Sequence, residues 1–277
     1  MLRRVMLAVA GLMIASGLFL FVHGQVQKDK PSPDGPFPCE RVGNIDQQRF
    51  PEPSDIVYHP TRKTLFVVSD EGHIAEIKTD GTPVNKRMGG AWRDYEGVTV
   101  DPATGLVYVA VEGEEKILEL DPATLQTKRE FAVERTFEGK TVMAAGGDGI
   151  EGLTFVPDEK HAEGGKFVAA HQAMEPARTP NEVSALLEIE LPLKTAKEGQ
   201  ELKGKIVRRI DIPGAVDLSA VSWDSGRKVF YVLSDEANLF YEVTSEGKVL
   251  HTYSFPGNDQ EGVAVDPDGF VYVAQDT

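Results

Sequence analysis

One short phrase recurs along this chain, and it constrains the fold more than any other feature. Glu96-Gly97-Val98-Thr99-Val100-Asp101-Pro102 returns as Glu151-Gly152-Leu153-Thr154-Phe155-Val156-Pro157 and again as Glu261-Gly262-Val263-Ala264-Val265-Asp266-Pro267. Two weaker copies complete the series, Ser54-Asp55-Ile56-Val57-Tyr58-His59-Pro60 and Ser219-Ala220-Val221-Ser222-Trp223-Asp224. Their starts lie 42, 55, 68 and 42 residues apart. Self-similarity at such a period marks a repeat architecture, in which each unit buries its apolar faces only against its neighbours.

Each copy opens a strand–turn–strand pattern. Residues 97–100 form a short β-branched run, and Asp101-Pro102-Ala103-Thr104-Gly105 places Pro and Gly where a tight turn uses them. Residues 106–111 and 117–120 read as the second and third strands. Residues 128–133 read as a fourth, on an edge that tolerates charge. The other copies follow the same plan. Four antiparallel strands per unit, repeating at roughly 40–45 residues, is the pattern of propeller blades. The expected fold is therefore all-β, a five-bladed β-propeller. A six-bladed ring stays open as an alternative because the 68-residue interval is generous. The last copy has sequence for only two strands. Residues 40–45 are expected to supply its outermost strand, which leaves its third strand without a source.

The N-terminus has a different character. Met1-Leu2-Arg3-Arg4 is basic, and residues 5–22 are an uncharged apolar run of 18 residues. Signal-peptide cores span roughly 7–15 residues and membrane-crossing helices about 17–25. Residues 1–24 are thus expected to be a hydrophobic helix, either a signal anchor or a cleaved signal peptide. The arginines would stay inside and the remainder would be exported. Residues 25–39 hold four prolines and read as a linker, with the propeller at 40–277. The expected location is the cell membrane, with the propeller on the periplasmic or extracytoplasmic side, or the periplasm itself if the segment is cut.

Net charge is −15, which argues against nucleic acid as a partner, since phosphate binding needs basic patches. The single cysteine, Cys39, rules out an internal disulfide. Nothing points to a subunit interface, and a monomer is expected.

The carboxylates carry the functional argument. The equivalent residues at the starts of the inner strands are Ser54, Glu96, Glu151, Ser219 and Glu261. Two residues earlier stand Glu52, Asp94, Gly149, Asp217 and Asp259. The second strands end at Asp70, Glu112, Gln172, Asp235 and Asp276. Because the second strand runs antiparallel to the first, all three sets fall at one mouth of the channel. Acidic residues at strand ends also cap turns, and that reading competes for the outer set. Long carboxylates converging on an axis repel one another unless they are protonated or bridged by a cation. A cluster of oxygens without His or Cys suits calcium or magnesium. The candidate metal ligands are Glu96, Glu151, Glu261, Asp55 and Asp235. His171 is the histidine placed nearest the mouth; it is a base only if the protein is an enzyme.

At Tyr95-Glu96-Gly97-Val98, Ile150-Glu151-Gly152-Leu153-Thr154-Phe155, Gln260-Glu261-Gly262-Val263-Ala264 and Val232-Leu233-Ser234-Asp235-Glu236 the chain resembles the SdiA-regulated, YjiK-like family of bacterial envelope proteins. The resemblance covers residues 44–277. It implies a five-bladed propeller distantly similar to NHL-repeat proteins, with a calcium site and no established activity, and it carries that site onto Glu96, Glu151 and Glu261. Two functions follow as expectations. The first is a calcium-binding module that docks a small ligand or an envelope protein. The second is a calcium-dependent hydrolase of phosphoesters, esters or lactones, with the loop at 173–183 as a lid; this rests on analogy of fold.

Overall fold

A computed structural model of the chain describes residues 5–10, 33–45, 50–89, 93–145, 149–173, 184–197, 199–257 and 259–276. All regular structure among them is β. Two strands, β1 (Val5–Ala10) and β2 (Cys39–Asn44), precede a series of antiparallel sheets. The first sheet is β3 (Pro53–His59), β4 (Thr64–Ser69), β5 (His73–Ile77) and β6 (Pro83–Arg87). The next is β7 (Tyr95–Val100), β8 (Val107–Val111), β9 (Lys116–Leu120) and β10 (Thr127–Val133). A small hairpin, β11 (Thr136–Phe137) and β12 (Lys140–Thr141), leads to β13 (Ile150–Pro157), β14 (Gly165–His171), β15 (Ala185–Glu190) and β16 (Lys203–Ile210). Then come β17 (Leu218–Asp224), β18 (Val229–Ser234), β19 (Leu239–Thr244) and β20 (Val249–Ser254), and finally β21 (Gln260–Val265) and β22 (Val271–Asp276).

Each copy of the repeated phrase is the first strand of its sheet. β3, β7, β13, β17 and β21 stand side by side, and β21 closes back on β3, so the sheets radiate from a central axis. This is a β-propeller. The glycine of the phrase is a requirement of that ring. A Cβ at Gly152 would lie 2.7 Å from the Ala220 Cα, and one at Gly262 would lie 2.7 Å from the Asp55 Cα. Neighbouring inner strands are so close that backbone fills the place of a side chain.

The second strands lie between adjacent sheets, so they are apolar on both faces; every residue of β4, β8 and β18 is buried. Aromatic rings wedge the sheets together. Tyr108 and Phe155 each meet Phe167 edge-on, at 4.9 and 5.1 Å. Three third strands carry a buried glutamate whose charge is met by an arginine: Glu76 by Arg62 and Glu242 by Arg227, each from the turn between the first two strands, and Glu119 by Arg129 from the outermost strand. Paired in this way, a carboxylate can sit in the wall of a blade. The turn after β7 works as its sequence suggests. Asp101 Oδ1 accepts the Ala103 N–H at 2.9 Å, Thr104 Oγ1 donates to Oδ2 at 2.8 Å, and Gly105 takes φ +72°.

The last sheet is completed from the start of the chain, in the order β2-β1-β22-β21. The outermost strand comes from residues 39–44, as the repeat pattern required. The third place is filled by Val5–Ala10, parallel to both of its neighbours, whereas the third strands of the other sheets are antiparallel to the second. In the described part of the expected N-terminal helix the backbone is therefore a strand; the rest of residues 1–24 lies outside the described residues. No helix among the described residues is long and apolar enough to cross a membrane. Part of the expected linker is packed: Phe37 donates its N–H to the Ser254 carbonyl at 2.8 Å and stacks on Phe240 at 4.2 Å. On the far side of the ring, β10 and β16 pair in parallel and join two sheets at their outer edges.

Candidate functional site

The first residue of every phrase copy is a β-bulge. The register between inner and second strands slips at Ser54, Glu96, Glu151, Ser219 and Glu261. A bulged residue has no partner opposite it, and the local kink re-aims its side chain. The five bulges lie at the same end of the ring, where a cavity of about 220 Å³ opens. Glu96, Glu151, Glu261 and Ser54 line it from four inner strands, and Glu52, Asp70 and Gln172 form its rim. Ser219 turns instead to the Gln260 carbonyl, to which it donates at 2.5 Å.

The mouth is crowded with negative charge. One ligand oxygen each from Asp94, Glu96 and Glu112 lie within 4.8 Å of one another, and the same holds for Glu52, Asp70 and Glu71. Burial raises the Glu96 carboxyl well above the usual carboxylate range, and the charges of Glu151 and Asp94 raise it further. Burial, Glu112 and Glu261 do the same to Glu151. Glu112 is raised by burial although it accepts the Gly149 N–H at 3.0 Å. Burial and then Glu52 push Asp70 up to about 7. Asp70 Oδ1 and Asp94 Oδ1 are buried and, among the described residues, have no hydrogen-bond partner. Orphaned carboxylate oxygens beside mutually repelling carboxylates, with no nitrogen or sulfur donor among the clustered groups, are a donor set that could hold a hard cation.

Two predicted ligands belong elsewhere. Asp55 sits deeper, at the position that is glycine in the three strong copies, and it is fully buried. Its Oδ2 accepts N–H groups from Val98 at 2.8 Å and Leu153 at 3.3 Å, its Oδ1 accepts that of Ile56 at 2.8 Å, and the Val263 N–H adds a fourth. Burial raises this carboxyl, while the four donors favour its charged form. Asp55 thus bars the channel below the mouth as a crossbar between four inner strands. Asp235 Oδ1 accepts the Gln260 N–H at 3.1 Å and caps the start of the next inner strand, which is the turn-capping role weighed for the outer set. The Asp276 side chain and residues 174–183 of the expected lid lie outside the described residues.

His171 ends β14 and is buried, its Nδ1–H donating to the Gly149 carbonyl at 2.7 Å. It is part of the wall behind Glu151. Arg93, which precedes Asp94 at the mouth, pairs with Glu130 at 3.1 Å and Glu114 at 3.4 Å. Sequence reasoning passed over the triad of Asp94, Glu96 and Glu112 as a unit, although the alignment of the repeats names all three.

An all-β propeller with one acidic mouth is the class that fold and site define. The chain belongs to the SdiA-regulated family, which matches residues 45–276. No curated protein sequence matches it. Among solved structures, glutaminyl cyclase from Myxococcus xanthus is similar, with a TM-score of 0.55 and 15% identity over 82% of this chain and 88% of that one. At that identity the likeness is one of fold alone. A protein of unknown function from Bacteroides caccae has a TM-score of 0.44 at 14% identity, over 77% of this chain and 64% of that one. The Cps50 (Swd1) β-propeller domain of Myceliophteria thermophila has a TM-score of 0.42 at 11% identity, over 80% and 60%.

Proposed function

We propose that this protein is an exported, membrane-tethered, five-bladed propeller that holds calcium at its acidic mouth and serves as a ligand- or partner-binding module. The observation that carries this reading is the set of bulges that turn Glu96, Glu151 and Glu261 toward one cavity, next to the orphaned oxygens of Asp70 and Asp94. Glu96 and Glu151 would be the principal ligands, with Glu112, Asp94 and Glu261 as further oxygen donors. The ion would neutralise a cluster that is otherwise partly protonated.

Export and tethering rest on the basic start and the apolar run at residues 5–22. Val5–Ala10 cannot pair with β22 and cross a bilayer together, so in this reading the segment leaves the last sheet on insertion. The hydrolase alternative gains no such support: His171 is buried against backbone, and Arg93 is engaged by glutamates.

The test is a thermal melt of the full chain with and without calcium chloride. Calcium should raise the melting temperature by several degrees, and Glu96→Gln combined with Glu151→Gln should abolish the rise. No rise in the unmodified protein, or an undiminished rise in the double variant, refutes the site.

A further inference from the structure

The opposite end of the channel holds a second cavity, of about 470 Å³, with quite different walls. It is framed by the far ends of the inner strands. Tyr58 and Trp223, both half-buried, present aromatic surface to it, and Pro60 and Pro157 add apolar rim. Trp223 is braced from behind by Phe230, with ring centroids 4.8 Å apart. The floor is sealed by hydrogen bonds between blades. Thr99 Oγ1 accepts the Phe155 N–H at 2.9 Å, and Thr154 Oγ1 accepts the Trp223 N–H at 3.0 Å. Asp55 lies just beyond, between the two ends of the channel, and no residue lines both cavities.

The charge at this mouth is one-sided. Asp224, Asp266 and Asp268 line it, opposed by Arg227 alone. Arg227 is spent locally, paired with Glu242 and donating to the Tyr231 hydroxyl at 2.8 Å. Asp224 and Asp266 accept turn N–H groups and the Tyr231 and Tyr272 hydroxyls, and no cationic side chain pairs with either of them among the described residues. No hydrogen bond or ion pair engages the Asp268 carboxylate among the described residues. The Tyr58 phenol lies within electrostatic reach of Asp266 and Asp268, which, after burial, hold its proton more tightly.

Aromatic faces beside uncompensated carboxylates are the chemistry that recognises an organic cation: the rings take the alkylated ammonium and its apolar body, the carboxylates its charge. A bare metal ion gains little from such walls, and an anion is repelled. The volume falls in the range of small-molecule pockets, and the lining mixes apolar and aromatic residues with the hydroxyls and aspartates of the turns. We propose that this second mouth is a binding site for a small organic cation with an apolar or aromatic body, anchored by Trp223, Tyr58 and Asp268. The inference stands independently of the calcium reading, because its residues and its cavity are separate from the acidic mouth.

Isothermal titration of the full chain tests it, with benzyltrimethylammonium as the probe and benzyl alcohol and benzoate as its neutral and anionic counterparts. The cation should bind saturably at one site, with each counterpart at least tenfold weaker. Trp223→Ala should weaken the cation at least tenfold and Asp268→Asn at least threefold. Asp268 lies on an exposed turn, so its variant remains informative if Trp223→Ala fails to fold. Saturating calcium chloride should leave the affinity unchanged. Absence of saturable binding, benzoate binding as tight as the cation's, an unchanged affinity in Asp268→Asn, or displacement by calcium each overturns the proposal.

Discussion

The carboxylate of Asp55 reaches across the ring to the backbone N–H of Val98, 2.8 Å away on the neighbouring inner strand. Inner strands of a propeller turn one edge toward the axis, and the polar groups on that edge have no strand to pair with. Asp55 answers for four of them at once, since Ile56, Leu153 and Val263 donate to the same two oxygens. The hydroxyls of Thr99 and Thr154 do the same one level further down, each for the next blade.

Asp55→Ala should therefore destabilise the protein by about 3 kcal/mol or more, because it strands several buried N–H donors together. Asp55→Asn should also be damaging, since its amide NH₂ would face the same donors. Urea denaturation measures both. A loss below about 1 kcal/mol in Asp55→Ala would mean that water replaces the carboxylate without penalty.

Gly152→Ala places a methyl against the Ala220 backbone at 2.7 Å, where nothing flexible can yield. Overpacking of this kind costs about 1–3 kcal/mol. Gly43 in β2 offers the control, its nearest neighbour being the Asp80 carbonyl at 3.9 Å. Gly43→Ala should stay within about 0.5 kcal/mol of the parent in the same denaturation assay.

The acidic mouth gives stability a distinctive pH dependence. Asp70 moves from 3.8 in the unfolded chain to about 7 in the fold. Glu96, Glu112 and Glu151 are raised in the same direction. The folded protein thus holds protons that the unfolded chain has already released. Their contribution is complete below the ordinary carboxylate range and is lost as pH rises toward about 7. Melting temperatures in EDTA should fall across that interval, and calcium should flatten the slope. A rise in EDTA would contradict the raised carboxyls.

The strands, the ring and the acidic mouth are legible in the repeated phrase, because periodic apolar runs and Asp-Pro turns are local signals. The purpose of the phrase's glycine was not local. Its reason is the backbone of the next blade, which no single repeat contains. Asp55 misled for the same cause. It looks like one more carboxylate near the mouth, yet aligning Ser54 with Glu96 puts it in register with Gly97, and a side chain at that position has only the axis to enter. The bulges left no compositional mark. The source of the third strand in the last sheet was hidden because an apolar run beside two arginines reads as a membrane signal, whatever partner a strand might offer it. The far mouth leaves no mark in the sequence, because Tyr58 and Trp223 belong to strands of two different repeats.

A bulged residue is excused from the ladder, and that exemption has a consequence for how such rings diversify. Exchanging glutamate for serine at an ordinary strand position would disturb a cross-strand pair. At Ser54 the exchange alters what the mouth presents, because the register resumes one residue later, whereas Ser219 spends its hydroxyl on the Gln260 carbonyl of the next blade. Four of the five positions behave like sockets that open on the mouth from a fixed frame. The chemistry of the opening can thus be rewritten one residue at a time while the scaffold beneath stays as it was.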